Sequence, residues 1–97
     1  MELRITHRTT PLTEAMKTYI TEKFMKFEKR VDQAEVFDVI YTAQVQNKGV
    51  NEDHKIEVMC KSKGKFVKVE KEGADFYNLV DNIEKVLRME LNKVKNA

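Results

Sequence analysis

The 97-residue chain has little of the residue types that break or cross-link a fold: it contains one cysteine, one proline, three glycines and no tryptophan. A lone Cys60 cannot form an internal disulfide, and its position in the apolar stretch IEVMC predicts a reduced thiol that faces the core. The low content of glycine and proline excludes collagen-like and low-complexity chains.

Long hydrophobic runs are also missing. No apolar stretch of the sequence approaches the roughly 20 residues that a membrane-spanning helix needs. The charged opening MELRITHR does not resemble a signal peptide. We therefore expect a cytoplasmic protein that does not bind a membrane.

What the chain does contain is charge of both signs. Charged residues make up 35% of the sequence and hydrophobic residues 41%, as in a folded protein, and the length predicts one domain over residues 1–97. The 18 basic and 16 acidic residues give a formal net charge of +2. This balance excludes a surface that attracts nucleic acid everywhere, so a nucleic-acid role would depend on how the basic residues are arranged.

Hydrophobic periodicity divides the chain into six elements. Alternation such as that of Leu3 and Ile5 indicates strands, apolar residues three and four apart indicate helices, and Thr13 and Asp75 are placed to cap the two helices. The predicted order is a strand over 2–6, a helix over 14–29, strands over 35–46, 54–60 and 66–70, and a helix from 76 nearly to Ala97.

This β-α-β-β-β-α order predicts an α+β fold. Each helix has one apolar stripe and the sheet has one apolar face, so both helices should pack on the same face of a four-stranded sheet in a two-layer sandwich. The first two strands should be parallel, with a right-handed crossover. The last three strands should form an antiparallel meander.

The first helix concentrates positive charge in the segment KFMKFEKR, where four of the eight residues are basic. With about 100° per residue, four side chains fall within an arc of about 60° beside the apolar stripe: Tyr19, Lys23, Lys26 and Arg30. One interpretation is that these cations meet nucleic-acid phosphates, with Tyr19 as a stacking surface. The other is that they cover the edge of the core, with Glu22 and Lys26 as an ordinary helical ion pair.

Residues for catalysis or metal binding are few and dispersed. His7, His54 and Cys60 lack the spacing of a metal site or of a nucleophile with its base, so we expect no enzyme, no metal and no cofactor. The segment KSKGK lacks the full pattern of a phosphate-binding loop. It is interpreted either as a solvated hairpin turn or as a turn whose lysines meet phosphate.

Two segments of the sequence resemble one protein family. ITHRTTPLTEAMKTYITEKFMKFEKRVD is similar to the first strand and helix of the ribosome hibernation promoting factor family, which is also known through the ribosome-associated inhibitor called protein Y. EKEGADFYNLVDNI is similar to the family's entry into its second helix, with Gly73, Asp75, Tyr77 and Asp81 in register. The resemblance covers nearly the whole chain and is diffuse in the third and fourth strands.

The resemblance implies a function. Members of this family bind the small ribosomal subunit, contact its RNA in the channel for messenger and transfer RNA, and hold idle ribosomes inactive under stress. Their fold is similar to the double-stranded RNA-binding domain, and they need no cofactor and no small-molecule substrate. Longer members add a domain that dimerises ribosomes, so this chain resembles the short form, with a ribosome-dimerising protein as a further candidate partner.

Carried over to this sequence, the resemblance implies a set of RNA-binding residues. They lie at basic positions of the family's two helices, or extend them. The candidates are Lys17, Lys23, Lys26, Lys29 and Arg30 in the first helix, and Lys93 and Lys95 in the second. Arg88 of the second helix is a further candidate, although it lies one position before the basic residue of the family.

The second helix departs from the family pattern. Where the family usually has a basic pair, this chain has Val86 and Met89, and its basic residues Lys85 and Arg88 come one position earlier. The step of one residue moves the charge to another flank, where each cation can pair with an acid four residues before it. Val86 and Met89 would then form an apolar patch for a protein partner.

An alternative function follows from the open face of the predicted sheet. Met59 and Phe66 are placed to face away from the helices, which would suit a protein-interaction or assembly module. A small enzyme is disfavoured, because no acid, base and nucleophile form a recognisable set.

Overall fold

The strands and helices have the predicted order in the computed structural model, which describes residues 1–32, 35–45 and 52–95. The elements are β1 (Glu2–Arg8), α1 (Glu14–Phe24), a 3₁₀ turn (Met25–Phe27), β2 (Val36–Val45), β3 (Glu52–Ser62), β4 (Lys65–Gly73) and α2 (Phe76–Lys95). The predicted strand end at Gln46 and helix end at Ala97 lie outside the described residues.

The strands form a four-stranded sheet in the order β1-β2-β3-β4. β1 is parallel to β2, with Leu3 opposite Phe37, and the two later pairs are antiparallel. Because β1 and β2 are parallel, the chain must cross back from the end of β1 to the level at which β1 begins before β2 can start, and α1 lies in that connection. The predicted α+β fold with an antiparallel meander is confirmed.

Both helices pack on the same face of the sheet. Phe37 and Tyr41 point from β2 towards this face, because residues separated by an even number of positions share a face of a strand. The centroid of the Phe24 ring in α1 lies 5.6 Å from that of Phe37, and the centroid of the Phe76 ring in α2 lies 5.6 Å from that of Tyr41. The core therefore lies between one helical layer and one sheet layer, as predicted.

The apolar stripe of α2 is the predicted one. Val80, Ile83, Leu87 and Leu91 are buried, while charged side chains occupy the opposite side of the helix. Such a helix packs its apolar side on the sheet and turns its polar side to water. Within the described ranges, no helix combines the length and the apolar character that a bilayer crossing requires.

The helix starts agree with the predicted caps. The backbone N–H of Met16 donates to Oγ1 of Thr13 (3.1 Å), and that of Asn78 donates to Oδ1 of Asp75 (3.2 Å). Each side chain satisfies an N–H group that has no acceptor within the helix. Local sequence is enough to fix both starting points.

The end of the first helix differs from the prediction. α1 ends at Phe24 and passes into the 3₁₀ turn, so Lys29 and Arg30 lie beyond the helix rather than within it. The chain continues in tight turns, in which the N–H of Arg30 donates to the carbonyl of Phe27 (2.8 Å). The spacing of 100° per residue, which places the basic side chains on one arc, therefore applies up to Phe24 and does not apply to Lys26 and Arg30.

Asp32 gives the physical reason for this early end. Its N–H donates to the carbonyl of Lys61 (2.9 Å), and its carboxylate accepts from the N–H groups of Lys63 and Gly64 (2.8 and 2.9 Å). These bonds hold the chain against the turn between β3 and β4. The chain must leave the helix axis to reach that position, and a helix to residue 29 would prevent it.

The two helices run parallel to each other. Tyr19 of α1 contacts Asp81 in the first half of α2. Further along the chain, Lys26 contacts Glu84, and Arg30 contacts Asn92 near the end of α2. The far ends of both helical segments therefore lie together, beside the β3–β4 turn that Asp32 holds. Basic residues from two separate stretches of sequence, Lys29 with Arg30 and Lys63, meet at this end of the molecule.

Candidate RNA-binding surface

Asp81 of α2 joins the two helices. Its carboxylate accepts a hydrogen bond from the hydroxyl of Tyr19 (2.6 Å) and lies 3.4 Å from Nζ of Lys23. The hydrogen bond from Tyr19 and the charge of Lys23 hold the pKa of Asp81 below its usual value, and the contact with Asp81 raises the pKa of Lys23. Two residues predicted to face RNA are thus engaged between the helices.

The ring of Tyr19 is occupied as well. It packs edge-to-face against Tyr77, with 4.8 Å between ring centroids, and Nζ of Lys23 lies 5.3 Å from its centroid. These contacts give the ring an intramolecular role. The structure does not present Tyr19 as the open stacking surface that one interpretation of the sequence required.

A second acid of α2, Glu84, is buried between two cations. Nζ of Lys26 lies 3.7 Å from its Oε1, and the guanidinium of Arg88 bonds the same oxygen. A buried carboxylate is costly unless it is paired, so both cations have a structural reason to be there. The predicted pair of Arg88 with the acid four residues earlier is confirmed, whereas Lys26 pairs with Glu84 rather than with Glu22.

The predicted ion pair of Lys85 with Asp81 is not among those of the described residues. Lys85 lowers the pKa of Asp81 from a greater distance. Around Asp81 and Glu84, the structure places four cations: Lys23, Lys26, Lys85 and Arg88. The expected basic flank is therefore neutralised in part, and two positive charges remain in excess.

Two other candidates, Lys17 and Lys93, lie on the outer surface of the helices. Lys17 is 3.5 Å from Glu14 and Lys93 is 3.2 Å from Glu90, both between a lysine Nζ and a carboxylate oxygen on the same helix. Such exposed pairs are weak and exchange readily with other anions. Lys95 ends α2, and its side chain lies outside the described part of the structure.

A cluster of basic side chains without acidic partners among the described residues lies where the helical segments and the β3–β4 turn meet. Lys29, Arg30 and Lys63 line a surface cavity of about 350 Å³ at this point. Arg30 bonds Asn92, an uncharged acceptor, and Lys29 and Lys63 form no ion pair with any described residue. We call Lys29, Arg30 and Lys63 the basic end.

The basic end was predicted in part. Lys29 and Arg30 were candidates, but Lys63 was left between a solvated turn and a phosphate contact. The sequence did not reveal that the N–H groups of Lys63 and Gly64 donate hydrogen bonds to the carboxylate of Asp32. These bonds bring the turn to Lys29 and Arg30, and they engage the carboxylate that lines the same cavity. The signal in the sequence was the lysine-rich turn itself.

The two apolar patches considered for protein partners each expose one side chain. On the open face of the sheet, Phe66 is 80% exposed whereas Met59 is half-buried. On α2, Met89 is 61% exposed whereas Val86 packs partly against the core. A continuous patch of two exposed apolar residues is therefore not formed at either place.

Two of the three soft ligands have structural roles. Cys60 is buried, as predicted, and burial raises the pKa of its thiol to about 11. Nδ1 of His54 shares a hydrogen bond with the hydroxyl of Tyr41 (2.6 Å), and the ring packs against Phe76. Within the described residues, no three histidine, cysteine or acidic side chains come together as a metal site.

The fold and the charge define a class: a small two-layer α+β protein with cations in excess along its paired helices and at one end. The profile of the family described as "Sigma 54 modulation protein / S30EA ribosomal protein" matches residues 3–97, and the chain belongs to this family. The resemblance seen in the sequence is confirmed.

Individual relatives agree with this assignment. The chain is 29% identical over 93 residues to the ribosome hibernation promotion factor of Deinococcus radiodurans, covering 95% of this chain and 48% of that one, so it spans about half the length of this curated relative. A ribosomal subunit interface protein of Coxiella burnetii matches over 100% of both chains with a TM-score of 0.81 and 18% identity. The Protein Y N-terminal domain of Thermus thermophilus matches with a TM-score of 0.76 and 21% identity, over 97% of this chain and 99% of that one.

Proposed function

We propose that this protein is a ribosome hibernation factor of the cytoplasm. It binds the RNA of the small ribosomal subunit and, under stress, blocks the channel that messenger and transfer RNA use. The observation that carries the proposal is the family match, which extends over residues 3–97.

The names of two relatives support the ribosome as the partner. The Deinococcus radiodurans protein is named for ribosome hibernation, and the Coxiella burnetii protein is named for the interface of ribosomal subunits. The small subunit and its channel are our own assignment for this chain. A protein that dimerises ribosomes is a further candidate partner.

Phosphate is the RNA group that the exposed cations fit. At the basic end, Lys29 and Lys63 carry charges with no intramolecular ion pair among the described residues, and Arg30 bonds an uncharged amide. Lysines already paired with acids can still contribute, because an ammonium group has three donors and a single carboxylate oxygen uses one of them. Phosphates of one RNA segment could thus be bound from the basic end along the helix pair.

The candidate contacts of this surface remain those that the family resemblance implied, with Lys63 added. They are Lys17, Lys23, Lys26, Lys29, Arg30, Lys63, Arg88, Lys93 and Lys95. Binding by phosphate contact needs no reaction: a folded domain seated in the channel excludes other ligands by its volume. We therefore expect inhibition by occupancy, without catalysis, cofactor or small-molecule substrate.

Co-sedimentation with purified small ribosomal subunits tests the proposal. The informative variant is Lys29→Glu with Arg30→Glu, because these side chains have no acidic partner among the described residues whose loss would destabilise the fold. The matched control is Arg8→Glu with Lys71→Glu, which makes the same change of charge on exposed residues at the opposite end of the sheet. Reversing Lys23 or Lys26 is less informative, because it would break ion pairs with α2.

We expect the native protein and the control to pellet with small subunits at low ionic strength, and the basic-end variant to remain in the supernatant. Because phosphate contacts release counterions, binding should weaken steeply as salt rises. Prior loading of the subunits with messenger and transfer RNA should also prevent binding. A native protein that does not pellet would refute the ribosomal function, and equal pelleting of both variants would refute the basic end as the contact.

A further inference from the structure

Phe66 is exposed on the sheet face that the helices leave open. Its neighbour Val67 and the next alternate residue, Val69, are buried against the helices, so Phe66 and Lys68 project to the opposite side. The side chain is 80% exposed. A single exposed apolar side chain is ordinary by itself, so its surroundings decide whether it has a role.

The surroundings of the Phe66 ring are cationic. Lys61 lies directly opposite Phe66 in the β3–β4 ladder, and its Nζ is 4.7 Å from the ring centroid. From Lys61 to Lys68 the sequence KSKGKFVK has four lysines and no acid. Lys61 also pairs with Glu35 (3.6 Å between Nζ and Oε1) and Lys68 approaches Glu70 at 3.8 Å, whereas Lys63 and Lys65 form no ion pair within the described residues.

A shallow cavity of about 190 Å³ adjoins the ring. Val36 and Met59 line it with apolar atoms, and two ion pairs, Arg4 with Asp38 and Lys61 with Glu35, line it as well. This volume is smaller than the roughly 300 Å³ at which drug-sized ligand pockets begin. It suits one flat ring that lies against Phe66 rather than a whole ligand.

These features favour single-stranded RNA over a protein as the occupant. Proteins that bind single strands combine aromatic side chains, on which bases stack, with basic grooves that follow the backbone. Four-stranded sheets that bind RNA use exposed aromatic residues in this way. The buried core of a protein–protein interface is by contrast depleted of lysine, and here lysines lie around the Phe66 ring.

The position of the hairpin connects this surface with the basic end. Lys63 at the tip of the turn lines the cavity of Lys29 and Arg30, whereas Phe66 lies three residues further on the open sheet face. One RNA strand could therefore contact the basic end, pass the tip of the hairpin and reach Phe66. The hairpin would bring two faces of the protein into one interface.

We propose that Phe66 stacks on an unpaired RNA base while lysines of the β3–β4 hairpin contact the adjacent phosphates. The proposal rests on the proposed function, because it requires RNA as the partner, and it adds a base-contacting site on the sheet face. The ligand is a short unpaired segment of RNA.

The absence of tryptophan from the chain allows a direct optical test. Phe66→Trp places a unique fluorophore at the stacking position, and Met89→Trp places one on α2 as the matched control, since both side chains are largely exposed. Each variant is titrated with a mixed-sequence single-stranded RNA of about ten nucleotides and with an abasic strand of equal charge. We expect the base-bearing strand to quench the tryptophan fluorescence of Phe66→Trp strongly and the abasic strand to quench it weakly. Because Met89 lies beside the candidate phosphate contact Arg88, the control should respond equally to both strands.

Binding of labelled RNA to Phe66→Ala gives the second measurement. Loss of one stacked base should weaken the affinity roughly 10-fold, while circular dichroism should show an intact fold because the side chain is exposed. Equal affinity of Phe66→Ala and the native protein, or equal quenching by base-bearing and abasic strands, would overturn the proposal. A fluorescence change that follows protein concentration without RNA would assign the site to a second copy of the chain and would overturn it too.

The two proposals can fail separately. If the native protein pellets with small subunits and Phe66→Ala pellets equally well over a full titration, the stacking site is wrong and the ribosomal function stands. If the native protein does not pellet at all, the ribosomal function is wrong whatever the fluorescence of the tryptophan variant shows.

Discussion

Nζ of Lys23 lies 3.4 Å from Oδ1 of Asp81, so a cation of α1 is paired with an acid of α2 across the contact between the helices. The same carboxylate accepts the hydrogen bond of Tyr19. Part of the positive charge that first suggests nucleic-acid binding is therefore used to hold the two helices together. At the basic end, the carboxylate of Asp32 accepts hydrogen bonds from backbone N–H groups and forms no ion pair with a described side chain.

Asp81→Asn should lower the stability of the protein. The change removes the charge that pairs with Lys23 and weakens the hydrogen bond from Tyr19. Because the site is partly exposed to water, we expect the free energy of unfolding to fall by about 1 kcal/mol, measured by urea denaturation at pH 7. Glu90→Gln is the control, because its pair with Lys93 is exposed and lies within one helix, and it should change stability by less.

The contribution of Asp81 should depend on pH in a defined direction. Its pKa in the folded state lies below the usual value of 3.8. Its stabilising effect is therefore fully present above the unfolded pKa and is lost as pH falls through the folded pKa. The stability difference between the native protein and Asp81→Asn should stay constant from pH 7 to about pH 5 and shrink below pH 3.8. A difference that grows on acidification would contradict the assignment.

Local patterns predicted most of the fold, and long-range contacts account for what they missed. The strands, the caps Thr13 and Asp75 and the Arg88–Glu84 pair depend on residues close in sequence, and each was predicted. The end of α1 depends on Asp32 meeting a turn about thirty residues later. No periodicity within the helix could reveal that contact.

The candidate site was harder to predict for the same reason. Lys26 pairs with Glu84, which is 58 residues away, whereas a local pair with Glu22 satisfied every rule of helical spacing. The number of basic residues on one side of a helix can be read from the sequence. Whether an acid of another helix neutralises them depends on how the two helices pack, which the sequence pattern does not show.

Phe24→Ala should be among the most damaging changes of one residue in α1. The ring is fully buried at the last residue of the helix and packs on Phe37. Removing it leaves a cavity, so the free energy of unfolding should fall by about 3–5 kcal/mol. Phe24→Leu retains most of the apolar volume and should cost less. Thermal denaturation of both variants checks this order, and similar losses would mean that the ring packing contributes little.

Cys60 should be unreactive while the protein is folded. Burial raises the pKa of its thiol to about 11, and the thiolate is the reactive form. Iodoacetamide at pH 8 should leave the native protein unmodified and alkylate it fully in denaturant, as followed by mass spectrometry. Because the folded pKa is raised above the ordinary 9.0, this thiol stabilises the fold below pH 9.0 and loses that effect as pH rises towards about 11. Rapid alkylation of the native protein would show that the thiol is accessible.

Lys63 occupies a backbone conformation that suits other residues better. The two central residues of the turn, Lys63 and Gly64, have φ angles of 52° and 77°. Two-residue hairpin turns with positive φ at both positions favour asparagine followed by glycine. A lysine there carries a conformational cost, and it places a charge of the basic end at the tip of the hairpin.

Lys63→Asn should therefore separate stability from binding. Relief of the left-handed lysine should raise the free energy of unfolding by about 0.5–1 kcal/mol, measured by urea denaturation. Loss of one phosphate contact should weaken RNA binding and reduce the slope of log affinity against log salt by about 0.7 for a single strand. Lys71→Asn at the far end of β4 is the control for charge and should leave RNA binding unchanged. If Lys63→Asn binds RNA as tightly as the native protein, the lysine at this position has no role in RNA contact, and the case for the hairpin as part of the interface is lost.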